Sequence, residues 1–148
     1  ITTKMMQNHG NKQDLFEYLE ESNGTQRLFD LIPLFYEHNG NSVIFIDEID
    51  RSLHTNLTRK FLELFYKLTE EDTSQIIATT HDSNLLDLDL VRQDEIWFVK
   101  RREDHSSKLY SLNHYKERYD KKIDKEYLLG RYDAIPIFDD MVLEDINV

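Results

Sequence analysis

The sequence predicts an α/β fold in which a mostly parallel sheet is flanked by helices. Two runs of branched and aromatic residues, Val43–Ile46 and Gln75–Thr79, lack an alternation of apolar and polar positions, which is typical of strands covered on both faces. Between them, apolar residues at steps of three and four predict a helix from about Asn56 to Leu68. A strand, a helix and a second strand in this order predict a βαβ unit.

Upstream of this unit, residues 1–14 are polar and unpatterned, and we expect them to be disordered or a truncated start. Leu15–Leu19 is predicted as a strand. A helix follows from Arg27 to about His38, and Pro33 within it predicts a kink because proline cannot donate a helical hydrogen bond.

Downstream of the unit, the sequence predicts a hairpin and a short helix. Two apolar runs, Glu95–Lys100 and Lys108–Leu112, flank a polar loop. The final element is a short helix over Tyr127–Tyr132, which ends near Gly130.

Length and composition bound the class of protein. The chain has 148 residues, of which 39% are hydrophobic, so we expect a single domain over 1–148 or a fragment of one. Cysteine is absent, which excludes disulfides and thiolate metal sites. No apolar run approaches the roughly 18 residues of a membrane span, so we expect no membrane partner and a cytoplasmic location.

The charge is unevenly distributed along the chain. The formal net charge is −11, which argues against a surface that coats nucleic acid. The stretch from Lys100 to Glu126, however, has nine Lys/Arg and six Asp/Glu. This stretch is either a solvated surface or a contact for nucleic acid or an acidic effector.

Two consecutive carboxylates, Asp47 and Glu48, end the first predicted buried strand. Neighbouring side chains of a strand point to opposite faces, so one acid can hold hydrated Mg²⁺ while the other polarises an attacking water. This division of roles suits nucleotide hydrolysis. The alternative is a strand that simply enters solvent through two acids.

Two further segments add to this candidate site. His81 follows the second strand of the unit, where an imidazole can contact a terminal phosphate; the alternative is an ordinary surface histidine. Ser22, Gly24 and Thr25 precede a helix, where backbone N–H groups can face an anion. The alternative here is an N-cap formed by Ser22 or Thr25.

Together these segments resemble the C-terminal half of ABC-type ATPases, the class of transporter nucleotide-binding domains and the Rad50/SMC group. Residues 21–28 resemble the signature motif, 44–48 resemble Walker B with its glutamate, and 80–82 resemble the switch-histidine loop. With residues 50–54 at the D-loop and the motif of 127–136, the chain is similar to prokaryotic OLD-like, AAA-family ATPases associated with phage defence.

The resemblance implies a role for each matching position, with ATP and Mg²⁺ as cofactors. Asp47 would bind the metal, Glu48 would act as general base, and His81 would contact the γ-phosphate. The resemblance also implies a homodimer, in which residues of one protomer complete the site of the other. Ser22 and Gly24 would contact the γ-phosphate bound to the opposite protomer, and Asp50 would connect the two sites. Arg27 would either support the signature turn or reach the nucleotide across the dimer, and Thr25 completes this set of cofactor-binding residues.

The phosphate-cradling half of such an ATPase is missing from the chain. A P-loop ends in Gly-Lys-Ser/Thr, and no Gly-Lys pair occurs among the four glycines. The first residue is Ile1, so we expect the C-terminal lobe of a longer P-loop NTPase, with a Walker A lobe upstream in the same polypeptide as a partner. We also expect the 148 residues alone to bind ATP weakly or not at all.

Two other functions remain alternatives at this stage. The chain could be a non-catalytic regulatory or interaction domain that retains an ATPase-like frame, which the missing Walker A favours. A magnesium-dependent nuclease of the Toprim type also uses paired acids at strand ends, but it has no use for His81 or for the Ser22–Thr25 segment.

Overall fold

The computed structural model describes residues 4–9, 12–37, 41–71, 73–116 and 122–135. They fall into two compact units, residues 1–81 and residues 82–148. The expectation of a single domain or fragment stays a prediction.

The first unit opens with a hairpin that the polar sequence did not predict. β1 (Lys4–His9) pairs antiparallel with β2 (Lys12–Glu17), within the segment we had expected to be disordered or a truncated start. The predicted strand over Leu15–Leu19 is therefore displaced. It ends at Glu17, because the Glu17 N–H donates to Glu20 Oε2 at 2.9 Å and a 3₁₀ turn over Tyr18–Glu20 begins.

The predicted helix of residues 27–38 is two shorter helices. α1 (Asn23–Leu31) and α2 (Leu34–Glu37) are separated by a turn at Ile32 and Pro33. The interruption expected from Pro33 is confirmed. α1 begins four residues earlier than predicted because Ser22 caps it, and residues 38–40 lie outside the described part of the chain.

The central βαβ unit is confirmed. β3 (Val43–Ile46), α3 (Thr55–Leu68) and β4 (Gln75–Ala78) follow one another, and β3 pairs with β4 in parallel with Ile46 opposite Ala78. Within the described residues the fold is α/β with this small parallel sheet, and the other two strand pairs form separate antiparallel sheets.

The prediction that both strands are covered on both faces is wrong. Val43 is 55% exposed, Phe45 is 74% exposed and Ile77 is 44% exposed. The register places Phe45 opposite Ile77, and side chains two positions apart share a face, so the three residues form one open apolar face. In the described part of the chain this sheet has only two strands, and only Ile46 of β3 is buried.

The buried face of α3 also differs from the one that the apolar spacing predicts, which comprises Leu57, Phe61, Leu64, Phe65 and Leu68. Phe61 and Phe65 are buried as expected, but Leu57, Leu64 and Leu68 are partly exposed. Thr58 and Leu62 are buried in their place. The buried stripe begins with a polar residue, Thr58, which a purely apolar pattern does not include. The ring of Phe61 lies 4.8 Å from that of Phe35, which packs α3 against α2.

The second unit has the predicted hairpin, but its final helix lies four residues earlier than the predicted Tyr127–Tyr132. β5 (Trp97–Arg101) pairs antiparallel with β6 (Ser107–Ser111), and α4 spans Ile123–Leu128. Gly130 follows α4 with φ +76, a conformation that other residues rarely adopt. The core residues of this unit are Leu88, Ile96, Phe98, Leu112, Ile123 and Tyr132.

A group of tyrosines attaches the segment after α4 to β6. The hydroxyl groups of Tyr110 and Tyr115 both donate to the backbone oxygen of Tyr132, the latter at 3.4 Å. The buried Tyr132 ring stacks on Phe98 with centroids 5.2 Å apart. Burial raises the pKa of Tyr110 to about 12, and the neighbouring Tyr115 and Asp133 add to the rise.

Candidate functional site

Strands β3 and β4 remain connected beyond their last paired residues. The Thr79 N–H donates to the Ile46 oxygen at 3.0 Å, and the Ile49 N–H donates to the Thr79 oxygen at 3.0 Å. The two acids that follow β3 are therefore held beside the first residue that follows β4. This places polar groups at the carboxyl edge of a parallel sheet, where α/β folds bind ligands.

The Thr79 hydroxyl bridges the two acids. It accepts a hydrogen bond from the Glu48 N–H at 2.8 Å and donates one to Asp47 Oδ1 at 2.6 Å. None of the sequence motifs assigns Thr79 a role of its own. The available signal was a hydroxyl residue directly after the strand that neighbours Asp47 and Glu48.

Glu48 has an unusual backbone conformation, which Arg27 supports. Its φ of 49° lies in the left-handed region, which is uncommon for residues other than Gly, Asn and Asp. Arg27 Nη2 donates to the backbone oxygens of Asp47 at 3.1 Å and Glu48 at 3.0 Å. Helix α1, which contains most of the signature-like segment, is thereby attached to the turn that carries both acids.

His81 lies close to Glu48. Its Nε2 atom is 3.8 Å from Glu48 Oε1, and the two side chains are 85% and 46% exposed. This separation is too long for a direct hydrogen bond. Both side chains are thus accessible from solvent and converge on one spot beyond β3 and β4.

Ser22 and Thr25 lie at the first turn of α1, where the N-cap interpretation is confirmed. The Thr25 N–H donates to Ser22 Oγ at 3.2 Å, and the two hydroxyl oxygens are 2.9 Å apart. Ser22 is exposed. Capping satisfies one of the N–H groups that a helix start leaves unpaired, and it leaves the exposed first turn open to a ligand.

Gly24 contacts the D-loop-like segment. A Cβ at this position would lie 2.9 Å from the backbone oxygen of Ser52, a residue that itself has a φ of 62°. The glycine is required here by a close backbone approach. The signature-like and D-loop-like segments are therefore in direct contact within one chain.

Asp50 lies in the turns that lead from Glu48 into α3. The Arg51 N–H donates to the Glu48 oxygen and the Leu53 N–H donates to the Asp50 oxygen, each at 3.0 Å. Asp50 is half-buried, and among the described residues its Oδ1 atom has no hydrogen-bond partner. A buried carboxylate oxygen without a hydrogen-bond donor lowers the stability of the fold. We therefore expect a donor from outside the described residues to reach this atom.

The donor set fits a magnesium ion that keeps much of its water shell. Among the described residues, no group of three or more His, Asp or Glu side chains is arranged to hold a metal. Mg²⁺ usually takes only one or two carboxylates together with waters and substrate phosphates. Asp47, exposed and oriented by Thr79, suits such a site.

Residues 2–87 match the protein family described as "AAA domain, putative AbiEii toxin, Type IV TA system". This match covers more than half of the chain and includes every residue of the candidate site. The chain belongs to this AAA-domain family. None of the curated proteins compared with the AAA domain matches it significantly.

A solved structure from a study of ATP-driven dimerization and DNA-stimulated activation of SMC ATPases is similar to this AAA domain. The TM-score is 0.56 at 18% sequence identity, and the similarity covers 90% of this chain and 74% of that chain. The two proteins therefore share a fold.

The helices of the AAA domain are short. The longest one described, α3, has 14 residues, and a bilayer-spanning helix needs about 20. Among the described residues, none of the helices is long and apolar enough to cross a membrane.

Proposed function

We propose that this AAA domain binds and hydrolyses ATP as part of a longer ABC-type ATPase. The observation that carries the proposal is the arrangement of Asp47, Glu48 and His81 at one edge of a parallel sheet, with Glu48 Oε1 3.8 Å from His81 Nε2. Membership of an AAA-domain family and an SMC-like fold support it.

Each of the three residues has a chemical task in this proposal. Asp47 holds the magnesium ion, which supplies charge neutralisation on the phosphates when it is bound with ATP. Glu48 Oε1 accepts a proton from the water that attacks the γ-phosphorus as the bond to the bridging oxygen breaks. His81 Nε2 donates a hydrogen bond to a γ-phosphate oxygen.

The first turn of α1 acts on a second copy of the chain. Ser22, Gly24 and Thr25 contact the ATP of the opposite protomer, and a donor from that protomer reaches Asp50. The exposure of Ser22 and the unsatisfied Oδ1 of Asp50 support this assignment. Arg27 attaches α1 to the Glu48 turn, so dimer formation and hydrolysis are coupled through it.

We further propose that hydrolysis drives a defence-related or nucleic-acid-related effector. The family description names a putative toxin of a toxin–antitoxin system, and the similar SMC structure comes from work on DNA-stimulated activation. A DNA duplex added to the full-length protein should raise ATP turnover if nucleic acid is the effector, and unchanged turnover would favour a protein effector.

The Glu48→Gln variant of the full-length protein tests the ATPase assignment. Gln keeps the size of the side chain but cannot accept the proton, so turnover should fall by about 100-fold or more. ATP-bound dimers should accumulate, measured by light scattering with Mg²⁺ and ATP. The matched control is Glu71→Gln, an exposed acid after α3, which should leave turnover unchanged.

Two outcomes would contradict the proposal. Near-normal turnover of Glu48→Gln would remove Glu48 from the reaction. A wild-type full-length protein that hydrolyses no ATP would instead favour the non-catalytic alternative, a regulatory domain with an ATPase-like frame.

A further inference from the structure

Thr79 is hydrogen-bonded to four consecutive residues of the segment that carries both acids, from Ile46 to Ile49. Its backbone N–H and oxygen bond to Ile46 and Ile49 at 3.0 Å each. Its hydroxyl accepts from the Glu48 N–H and donates to Asp47 Oδ1. Thr79, which directly follows β4, thus contacts the chain from the last residue of β3 to the turn after it.

The direction of these hydrogen bonds follows from the groups involved. A backbone N–H can only donate, so the Thr79 oxygen accepts from Glu48. An ionised carboxylate can only accept, so the hydroxyl proton points to Asp47 Oδ1. Both bonds are short, at 2.8 Å and 2.6 Å, as expected for a well-aligned donor and a charged acceptor.

We propose that Thr79 is a positioning residue for the metal-binding carboxylate and for the catalytic glutamate. This inference deepens the proposed ATPase function and rests on it. The hydroxyl fixes the rotation of the Asp47 carboxylate through Oδ1, and Asp47 would then hold hydrated magnesium through its other oxygen, Oδ2. It also holds the Glu48 N–H, which keeps Glu48 in its left-handed conformation and directs its side chain toward His81.

The conformation of Glu48 explains why such a residue is needed. Its φ of 49° is uncommon for glutamate, and uncommon backbone conformations persist only where the surroundings determine them. Arg27 holds the two carbonyl groups of this turn, and Thr79 holds the N–H group. Of Arg27 and Thr79, only Thr79 also donates a hydrogen bond to a carboxylate that we expect to bind metal.

Three variants of the full-length protein test the inference. Thr79→Val has nearly the shape of threonine but lacks the hydroxyl, whereas Thr79→Ser keeps the hydroxyl and lacks the methyl group. Thr58→Val makes the same chemical change in a buried threonine of α3, whose Oγ1 has no hydrogen-bond partner among the described residues. It is therefore the matched control.

The first measurement is the Mg²⁺ dependence of ATP hydrolysis. Loss of a group that orients a metal ligand typically costs about 10- to 100-fold in metal affinity or activity. In Thr79→Val, we expect the Mg²⁺ concentration for half-maximal turnover to rise and kcat to fall within that range, with a smaller change in the KM for ATP. Thr79→Ser and Thr58→Val should both keep a Mg²⁺ dependence and a kcat close to those of wild type.

The second measurement is hydrogen exchange of the Glu48 amide, followed by NMR without nucleotide or metal. Exchange should be faster in Thr79→Val than in wild type and should remain slow in Thr79→Ser. If the valine variant does not fold, Thr79→Ala carries the same expectations in both measurements.

Some results would overturn the inference. Wild-type Mg²⁺ dependence and kcat in a folded Thr79→Val would do so, even if its melting temperature falls, because only a structural role would then remain. Unchanged Glu48 exchange would also do so. Failure of the ATPase proposal is distinguishable, since wild type itself would then be inactive, and the exchange measurement would still decide whether Thr79 holds Glu48.

Discussion

The backbone oxygen of Ser52 lies against the α-carbon of Gly24, so that a Cβ added to Gly24 would be only 2.9 Å from it. Real Cβ atoms do not approach a backbone oxygen this closely. Gly24 lies in the first turn of α1, and Ser52 precedes α3. The contact therefore sets how closely these two helix-bearing segments approach each other in the first unit.

Gly24→Ala should destabilise the protein. Alanine raises helix stability by at most about 1 kcal/mol relative to glycine, whereas an overpacked contact with backbone costs about 1–3 kcal/mol. We therefore expect a lower free energy of unfolding in urea denaturation. Asn23→Ala, one position earlier and exposed, is the control and should change little. A Gly24→Ala variant that is more stable than wild type would show that Ser52 moves away without cost.

Arg27→Ala should weaken the turn that carries Asp47 and Glu48. The substitution removes the donor to two backbone oxygens, and hydrogen bonds from charged groups contribute about 1.5–3 kcal/mol. Denaturant unfolding should show a loss of this size, accompanied by lower ATP turnover. Arg102→Ala, at an exposed arginine of the second unit, should show neither effect. Equal unfolding free energies of the two variants would mean that Arg27 makes no net contribution to the stability of the fold.

The sequence predicted the βαβ unit and the acids after β3 because both depend on local information. An apolar run next to two carboxylates is visible without knowledge of the rest of the chain. The open face that carries Phe45 was not predictable, because cover over a strand depends on which other segments pack there. Thr79 was missed for a similar reason, since its importance depends on the register that places it beside Asp47.

Ser22 variants separate the capping role from the proposed role in the dimer. Ser22→Ala removes the acceptor for the Thr25 N–H and should cost about 1 kcal/mol of unfolding free energy. Ser22→Asp keeps an acceptor and should retain most of the stability, but its negative charge would repel a phosphate. We expect Ser22→Asp to be folded and defective in ATP-dependent dimerisation. Normal dimerisation would leave Ser22 with the capping role alone.

Tyr110 should make stability depend on pH at high pH. Its pKa is raised from 10.0 to about 12 in the folded protein. As the pH rises above 10, the unfolded chain loses this proton first, so the free energy of unfolding falls until the folded group also ionises near pH 12. Tyr110→Phe should flatten the decline between these values in thermal melts recorded at a series of pH values. An unchanged slope would assign the decline to other groups.

Selection for stability and selection for ATP turnover would favour different amino acids at position 48. Glycine or asparagine would adopt the left-handed backbone conformation of this position with less strain than glutamate. A library at position 48 screened only for heat resistance should therefore enrich those two residues, and one screened for growth that depends on ATP turnover should return glutamate. The strained turn marks a position at which a thermostabilised version of this protein would lose its proposed activity first.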